Sequence, residues 1–416
     1  MASQARDDAG MTTALPPAFS RLALANLAAQ SAEQLSLAAV PMVAVLVLGA
    51  GPGEIGALAT AQTLPFLLLS IPAGLLADRV SKRRLMQWAE ALRALAFLGL
   101  LLAAATGQLS FAVLALLGFI GATGTVGFSV AAPAYLPTLV PRALLGTANG
   151  RLELARSAAF AAGPALAGAL VAWAGATPAF VLAAMLSTAA LVLLLALPEA
   201  AATALAPRRH PLLELKEGAA LVWRHELLRP ILLTAVAWNI SWFVLQAAYV
   251  PYAMRSLGLS AAQVGFTLAA YGVGMVVGAL ASPVVLRSLP FGQAVMLGPA
   301  VSVAAAAAMV ATLVWPTAAM ATLSFFLFGV GPIIWTIAST TLRQTVTPAS
   351  MLGRVTAIFL AVNMGVRPVG ALLGGWVGAS WGAQACLWLA LAGFVLQAAV
   401  ILSSSVRTLL RLPEAA

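Results

Sequence analysis

Glu33 and Arg367 each place an ionisable side chain deep inside a long apolar run, where charge is costly and calls for a partner and a purpose. At about 1.5 Å per helical residue, Glu33 lies ~18 Å beyond Arg21 and Arg367 ~20 Å beyond Arg354, near the middle of a bilayer. A carboxylate at that depth responds in its protonation to nearby cations and to the compartment it faces. We therefore expect Glu33 to be a proton site, with Arg367 or Arg156 as the charge that resets it. A permanent ion pair fixing helix packing is the alternative. Glu90 with Arg93 and Glu153 with Arg156 are three apart, so each pair can neutralise itself near the cytoplasmic end of its helix, and Arg151 and Arg156 could join an inner gate.

A second group is the turn Gly74-Leu75-Leu76-Ala77-Asp78-Arg79-Val80-Ser81-Lys82-Arg83-Arg84, with one acid and several bases between two apolar stretches. Gly74 and Asp78 share a helix face, a bare backbone patch beside a carboxylate. Such a carboxylate is stabilised next to another helix's N-terminus and could latch two helices. Alternatively the bases only hold a loop in the cytosol. A third group is the stripe Trp238, Trp242, Gln246 and Tyr249 with Asn239, an aromatic and amide surface suited to a large, partly apolar ligand. Gln30, Gln62, Tyr271, Trp335 and Asn363 are candidates to complete that cavity. Packing or an interfacial belt is the plainer reading, and Trp173, Trp315 and Trp381 fall at expected outer ends, where belt anchors belong.

The elements that must carry these groups are membrane spans. The 416 residues are 62% hydrophobic and 8% charged, with mean hydropathy +1.00, too little polar surface for a soluble domain of this length. Runs of spanning length occur near 21–48, 55–77, 84–105, 110–136, 148–172, 178–197, 230–253, 262–286, 293–314, 317–340, 354–378 and 383–405. Even-numbered gaps hold nearly all the bases outside spans, including Arg142, Arg208, Arg209, Lys216, Arg287 and Arg343, whereas odd-numbered gaps hold only Arg255. The positive-inside rule then puts both termini in the cytoplasm. Pro141, Leu145, Gly146, Gly163, Gly168 and Gly175 recur 207 residues later as Pro348, Leu352, Gly353, Gly370, Gly375 and Gly382. The expectation is an all-α membrane protein of twelve transmembrane helices in two pseudo-symmetric six-helix bundles. Its parts are a cytoplasmic tail 1–20, bundles 21–197 and 230–405, a cytoplasmic linker 198–229 and a tail 406–416. Parallel repeats of this kind build carriers with a site between the halves near mid-membrane.

These residues resemble the major facilitator superfamily along essentially the whole chain. Gly74, Asp78, Arg79, Lys82, Arg83 and Arg84 match the family's loop between helices 2 and 3, with Ser81 in place of a usual Gly. The resemblance implies a latch in which Asp78 approaches the start of helix 11 near Gly353 and Arg354. The second half carries Arg287 and no acid at the matching place, so the latch would be one-sided. Gly150, Ala159, Gly163, Pro164, Ala167 and Gly168 are similar to the export-associated motif of helix 5, with Ala twice for Gly. A tight helix contact without bearing on direction is the alternative. In the resembled fold helix 1 lines the cavity and helix 11 is nearby, which would bring Glu33 toward Arg367. Leu215–Gly218, Arg224–Arg229 and Arg367–Gly370 resemble the enterobactin-exporter-like branch, which includes siderophore exporters and macrolide efflux proteins.

Other chemistries find no support. Gly51–Gly56 satisfies a dinucleotide-type glycine spacing but joins two spans, and neither lysine, Lys82 or Lys216, sits in a phosphate-binding loop. The lone Cys386 has no internal disulfide partner, no metal spacing is present, and the polar N-terminus does not read as a cleaved signal. The net charge of +10 is dispersed among loops, which argues against nucleic acid. The expected function is export of a small amphiphilic compound (drug, macrolide or siderophore) from a bacterial cytoplasm by proton antiport, by a monomer in the inner membrane, without cofactor or catalysis. Proton-coupled uptake, lysolipid flipping, and a membrane-embedded sensor or enzyme are the alternatives.

Overall fold

The computed structural model describes residues 15–141, 144–199, 211–348 and 351–413; of Asp78, Arg79 and Gly150 only the helical backbone is described. The helices are α1 (Pro17–Leu48), α2 (Pro52–Arg79), α3 (Lys82–Ala105), α4 (Phe111–Leu139), α5 (Leu145–Ala174), α6 (Ala176–Leu195), α7 (Pro211–Arg224), α8 (Leu228–Arg255), α9 (Ala261–Ser288), α10 (Phe291–Ala311), α11 (Ala318–Val346), α12 (Leu352–Gly365) and α13 (Arg367–Leu402). The described residues contain no strand. Ten stretches among them are long and apolar enough to cross a bilayer, and the tenth, Leu352–Leu402, has 51 residues, enough for two crossings. Gly382, at φ 80°, turns the chain inside that stretch, and the 28-residue α2 supplies the remaining crossing, so the twelve-span fold stands. Gly175 turns the chain between α5 and α6 at φ 77°. It is the repeat partner of Gly382, so both copies use the same left-handed glycine at the same bend.

Local signals set the ends. Ser81 accepts from the Arg84 N–H and starts α3, so the residue that departs from the expected glycine serves as an N-cap. Ser260 and Gln263 form a capping box on α9. Pro368 has no N–H to donate, and the eleventh span is interrupted at Val366, between α12 and α13, with Arg367 at the break. Two boundaries differ from expectation. The polar linker contains a helix, α7, started by Pro211, because its apolar residues recur at helical spacing and Val222 is buried. The tenth span runs to Val346 instead of ending near 340, which takes Arg343 out of the loop and into the helix.

The core is continuous at one end and divided at the other. At the end far from the termini, buried residues of both halves form one cluster, from Leu35, Val43 and Phe180 to Tyr249, Phe325 and Phe394. At the terminal end there are two clusters. Phe19, Met86, Phe128 and Tyr135 pack within the first half, and Leu228, Ile231, Leu342 and Phe359 within the second. Close backbone approach explains the joined end. A Cβ on Gly56 would stand 2.8 Å from the Ala371 carbonyl oxygen, and one on Gly168 would stand 2.8 Å from the Gly265 Cα. Arg255 donates to the Gly49 carbonyl at 2.5 Å across the same seam. At the terminal end a Cβ on Gly74 or Gly353 would meet no other element within 4 Å among the described residues.

Two bases and a glutamine of the terminal end are tied to one helix terminus. Arg21, Arg83 and Gln87 donate to the carbonyls of Ala196, Leu195 and Leu194 at 2.9, 2.7 and 3.0 Å. These donors satisfy carbonyls left open at the end of α6, and the two guanidiniums complement its dipole. Trp173, Trp315 and Trp381 are all exposed at the opposite end.

Candidate functional site

Between the joined core and the two separate ones lie two cavities, of about 380 Å³ toward the joined end and about 400 Å³ toward the terminal end. Arg156, Trp238, Asn239, Tyr271 and Arg367 line both and form the waist between them. These residues come from α5, α8, α9 and α13, so the waist is made by both halves.

Glu33 projects from α1 into the upper cavity, and its side chain is 19% exposed. Its partner is Arg93 of α3, whose Nη1 stands 3.4 Å from the Glu33 Oε2. Arg93 also donates to the Thr125 hydroxyl at 3.3 Å, and it forms a close bidentate pair with Glu90. Glu90 is fully buried and accepts from the Ser187 hydroxyl at 2.5 Å. Two carboxylates thus share one guanidinium. Glu90 is enclosed and satisfied, whereas Glu33 faces the cavity.

One expectation is corrected, the separate Glu90–Arg93 pair, and the direct partner of Glu33 is one the sequence did not single out for it. Glu33 pairs with Arg93, and neither Arg156 nor Arg367 makes an ion pair with it, although both line its cavity. Glu90 and Arg93 do not form a separate pair at a helix end. Arg93 lies about 17 Å along α3 from Lys82, the depth of Glu33 on α1. That shared depth was the available signal. Arg156 is bound to Glu153, Nε to Oε2 at 2.9 Å, and lies over the Phe160 ring. Arg367 donates to the Asn239 Oδ1 at 3.4 Å and lies over Phe66 and Phe243.

The aromatic stripe of α8 divides. Trp238, Asn239, Trp242 and Gln246 line the upper cavity with Gln62 and Tyr271, and Trp238 stacks on Trp242 with centroids 5.3 Å apart. Trp335 and Asn363 line the lower cavity. Tyr249 does not reach either. It is fully buried, hydrogen-bonded to the Thr267 hydroxyl and packed edge-on to Phe325: it keeps the azimuth of the stripe but lies about 17 Å along α8 from Trp238, at the level where the core is joined. Gln30 is also absent from both cavity walls, being one turn nearer the terminal end than Gln34, which does line the upper one. Phe66, Thr125, Phe160 and Phe243 line the cavities and carried no sequence signal beyond lying within spans, and Arg343, read as a loop base, lines the lower one.

The helix 5 motif touches both neighbours. A Cβ on Gly163 would stand 2.6 Å from that of Gln34, next to Glu33, while Gly168 meets Gly265 of the other half. Ala159 and Ala167 are buried, and α5 runs through Pro164 without interruption. Of the expected latch, Arg354 donates to Glu217 of α7 at 2.5 Å. The side chains of Asp78 and Arg79 lie outside the described residues. Lys82 is half-buried, and Arg84 pairs with Glu199 at 3.3 Å on the surface. Among the described residues no group of three or more His, Cys, Asp or Glu side chains could hold a metal.

Comparison with known proteins accords with this architecture. The model of the Major Facilitator Superfamily matches residues 22–370. The enterobactin exporter EntS of Citrobacter koseri is 30% identical over 312 residues, 74% of this chain and 72% of that protein. EntS of Escherichia coli O1:K1 is 29% identical over 310 residues with the same coverage. The nucleoside transporter NupG superposes with TM-score 0.74 at 13% identity, over 93% of this chain and 99% of that one. A bacterial homologue of the iron transporter ferroportin superposes at 18% identity in two states. In its inward-facing state the TM-score is 0.70, over 94% of this chain and 99% of that one. In its outward-facing state the TM-score is 0.61, over 93% and 99%. Twelve spans, a six-plus-six repeat and a polar waist between the halves agree with a family match over most of the sequence: the chain is a multi-pass membrane transporter belonging to the major facilitator superfamily.

Proposed function

We propose that this transporter exports a small amphiphilic compound (a drug, macrolide or siderophore) from the bacterial cytoplasm in exchange for protons. It would act by alternating access, as a monomer in the inner membrane with both termini cytoplasmic. The observation that carries this reading is Glu33, the one carboxylate among the described residues lining the cavities, held to Arg93 on the wall between the halves. In this conformation the core is joined at the end remote from the termini, which under the proposed topology is the inward-open state. The higher likeness to an inward-facing than to an outward-facing relative supports the same state.

An unprotonated Glu33 pairs with Arg93 while the cavity opens to the cytoplasm. After the halves rock, Glu33 faces the outside, takes a proton and leaves Arg93 to Glu90. Return to the inward state releases the proton and restores the pair. The latch of Gly74, Asp78, Arg79, Lys82, Arg83 and Arg84 against Gly353 and Arg354 would set which state is occupied, and Asp78→Asn would slow cycling while sparing cargo affinity. The segments 21–197 and 230–405 are the proposed rocking bodies, with 198–229 as the cytoplasmic linker and 1–20 and 406–416 as tails. The similarity to EntS supports export and a siderophore as cargo.

The test is transport in sealed vesicles with an imposed pH gradient, using a panel of drugs, macrolides, siderophores and lysolipids. Wild-type protein is expected to move a member of the first three classes against the proton flow. Glu33→Gln is expected to abolish that movement with folded protein retained in the membrane. Undiminished coupling in Glu33→Gln, or movement with the proton flow, overturns the reading.

A further inference from the structure

The lower cavity is cationic. Its described lining carries three guanidiniums, from Arg156, Arg343 and Arg367, and no Asp or Glu. Glu153 neutralises Arg156. Among the described residues neither Arg343 nor Arg367 forms an ion pair: Arg343 lies 4.7 Å from the Phe359 centroid, and Arg367 contacts Asn239 and two phenyl rings. Ring faces and an amide oxygen stabilise a guanidinium only in part. Two such groups in one cavity of about 400 Å³ leave a positive site that an anion would complete.

The same walls carry unmet hydrogen-bonding groups. Among the described residues, Arg343 Nε, Trp335 Nε1 and Trp238 Nε1 are buried donors without a partner, and Asn363 Oδ1 is a buried acceptor without one. All four residues line this cavity. Unpaired buried polar atoms are costly, and a cluster of them on one cavity wall fits a site whose partner comes from solution. The donors suit an anion, whereas the Asn363 oxygen needs a hydroxyl or N–H.

We propose that the lower cavity binds an organic anion that also carries a hydroxyl or amide N–H. Arg343 and Arg367 hold the anionic group, Trp335 Nε1 donates to it, and Asn363 Oδ1 accepts from the neighbouring donor. The inference rests on the transport reading in making this cavity part of the cargo's path, and it names the charge of that cargo. Arg343 is the decisive residue, because it lines only the lower cavity while Arg367 also faces the upper one.

The experiment is equilibrium binding to the full chain in nanodiscs, without a gradient, followed by tryptophan fluorescence and calorimetry. The probes are 4-hydroxybenzoate, benzoate, neutral 4-hydroxybenzyl alcohol and cationic tyramine. Wild type is expected to bind 4-hydroxybenzoate about tenfold more tightly than the alcohol, the effect of one charge-assisted hydrogen bond, and benzoate severalfold more weakly than 4-hydroxybenzoate. Arg343→Gln should remove the preference for the anion, Arg343→Lys should keep most of it, and Asn363→Leu should erase the difference between the two benzoates. Equal binding of anion and alcohol, tighter binding of tyramine, or no saturable binding of 4-hydroxybenzoate by folded protein overturns the proposal. Anion binding together with failed proton-driven transport would leave this site standing and remove the coupling mechanism alone.

Discussion

The two halves share a backbone plan and differ in how they treat charge at mid-membrane. In the first half Glu33, Glu90 and Arg93 form a closed network with Ser187 and Thr125, and a single carboxylate is left at the described cavity wall. In the second half Arg343 and Arg367 stand against rings and an amide, with no acid among the described residues of the cavity wall they share. At the 207-residue offset of the repeat, Phe160 occupies the place of Arg367, and Arg156 that of Asn363. Duplication therefore kept the glycines and prolines that shape helices and let the charges diverge. Under the functions proposed above, this is a division of labour: one half would hold the proton-responsive acid and the other would present its uncompensated cations to a ligand.

The largest expected effect tests whether the first half's network is structural as well as functional. Arg93→Leu strands Glu90 and should cost about 3–5 kcal/mol, read as a fall in the thermal midpoint of the purified protein. Arg367→Leu removes an unpaired cation and should be neutral or stabilising in the same measurement. Equal losses in the two variants would break the contrast between the halves. Adding Glu90→Gln to Arg93→Gln should recover much of the stability lost by the single Arg93→Gln change, since the stranded charge goes with it.

An intermediate effect is expected at the joined seam. Gly56→Val forces a side chain against Gly375 and Ala371 and should cost about 1–3 kcal/mol in the conformation described. Alkylation of a cysteine placed on the terminal-side wall, at Thr340, should slow as the population shifts toward the other state. Gly74→Val meets open space here, and should leave that rate unchanged unless the opposite state packs on it. The smallest effect is at Tyr249. Tyr249→Phe loses its hydrogen bond to Thr267, about 1 kcal/mol of stability, and should leave ligand binding untouched, while Trp238→Ala should weaken binding with little loss of fold.

How far the sequence could be read depended on the kind of information needed. The spans, the repeat and the depths of Glu33 and Arg367 followed from run length and rise per residue. The cavity residues of α8 were legible as far as Gln246, and the reading failed at Tyr249, which keeps the same face but reaches the level where the two halves close into one core, a depth that periodicity does not report. Arg343 was counted with the loop bases because a boundary set six residues early hides a helical position. Gln30 was mistaken for lining because residues a turn apart on α1 face different neighbours.

The sequence by itself determined a twelve-span duplicated membrane protein with basic turns on one side and few charges inside. Those properties are carried by composition and length, because the bilayer acts on each segment separately. Only the tertiary structure decided that Arg93 pairs with Glu33, that Arg367 meets Asn239, and that the core is joined at one end and divided at the other. Those pairings depend on the rotation and register of helices far apart in the chain. Packing of small residues such as Gly56, Gly168 and Gly265 sets that register, and no single segment encodes it.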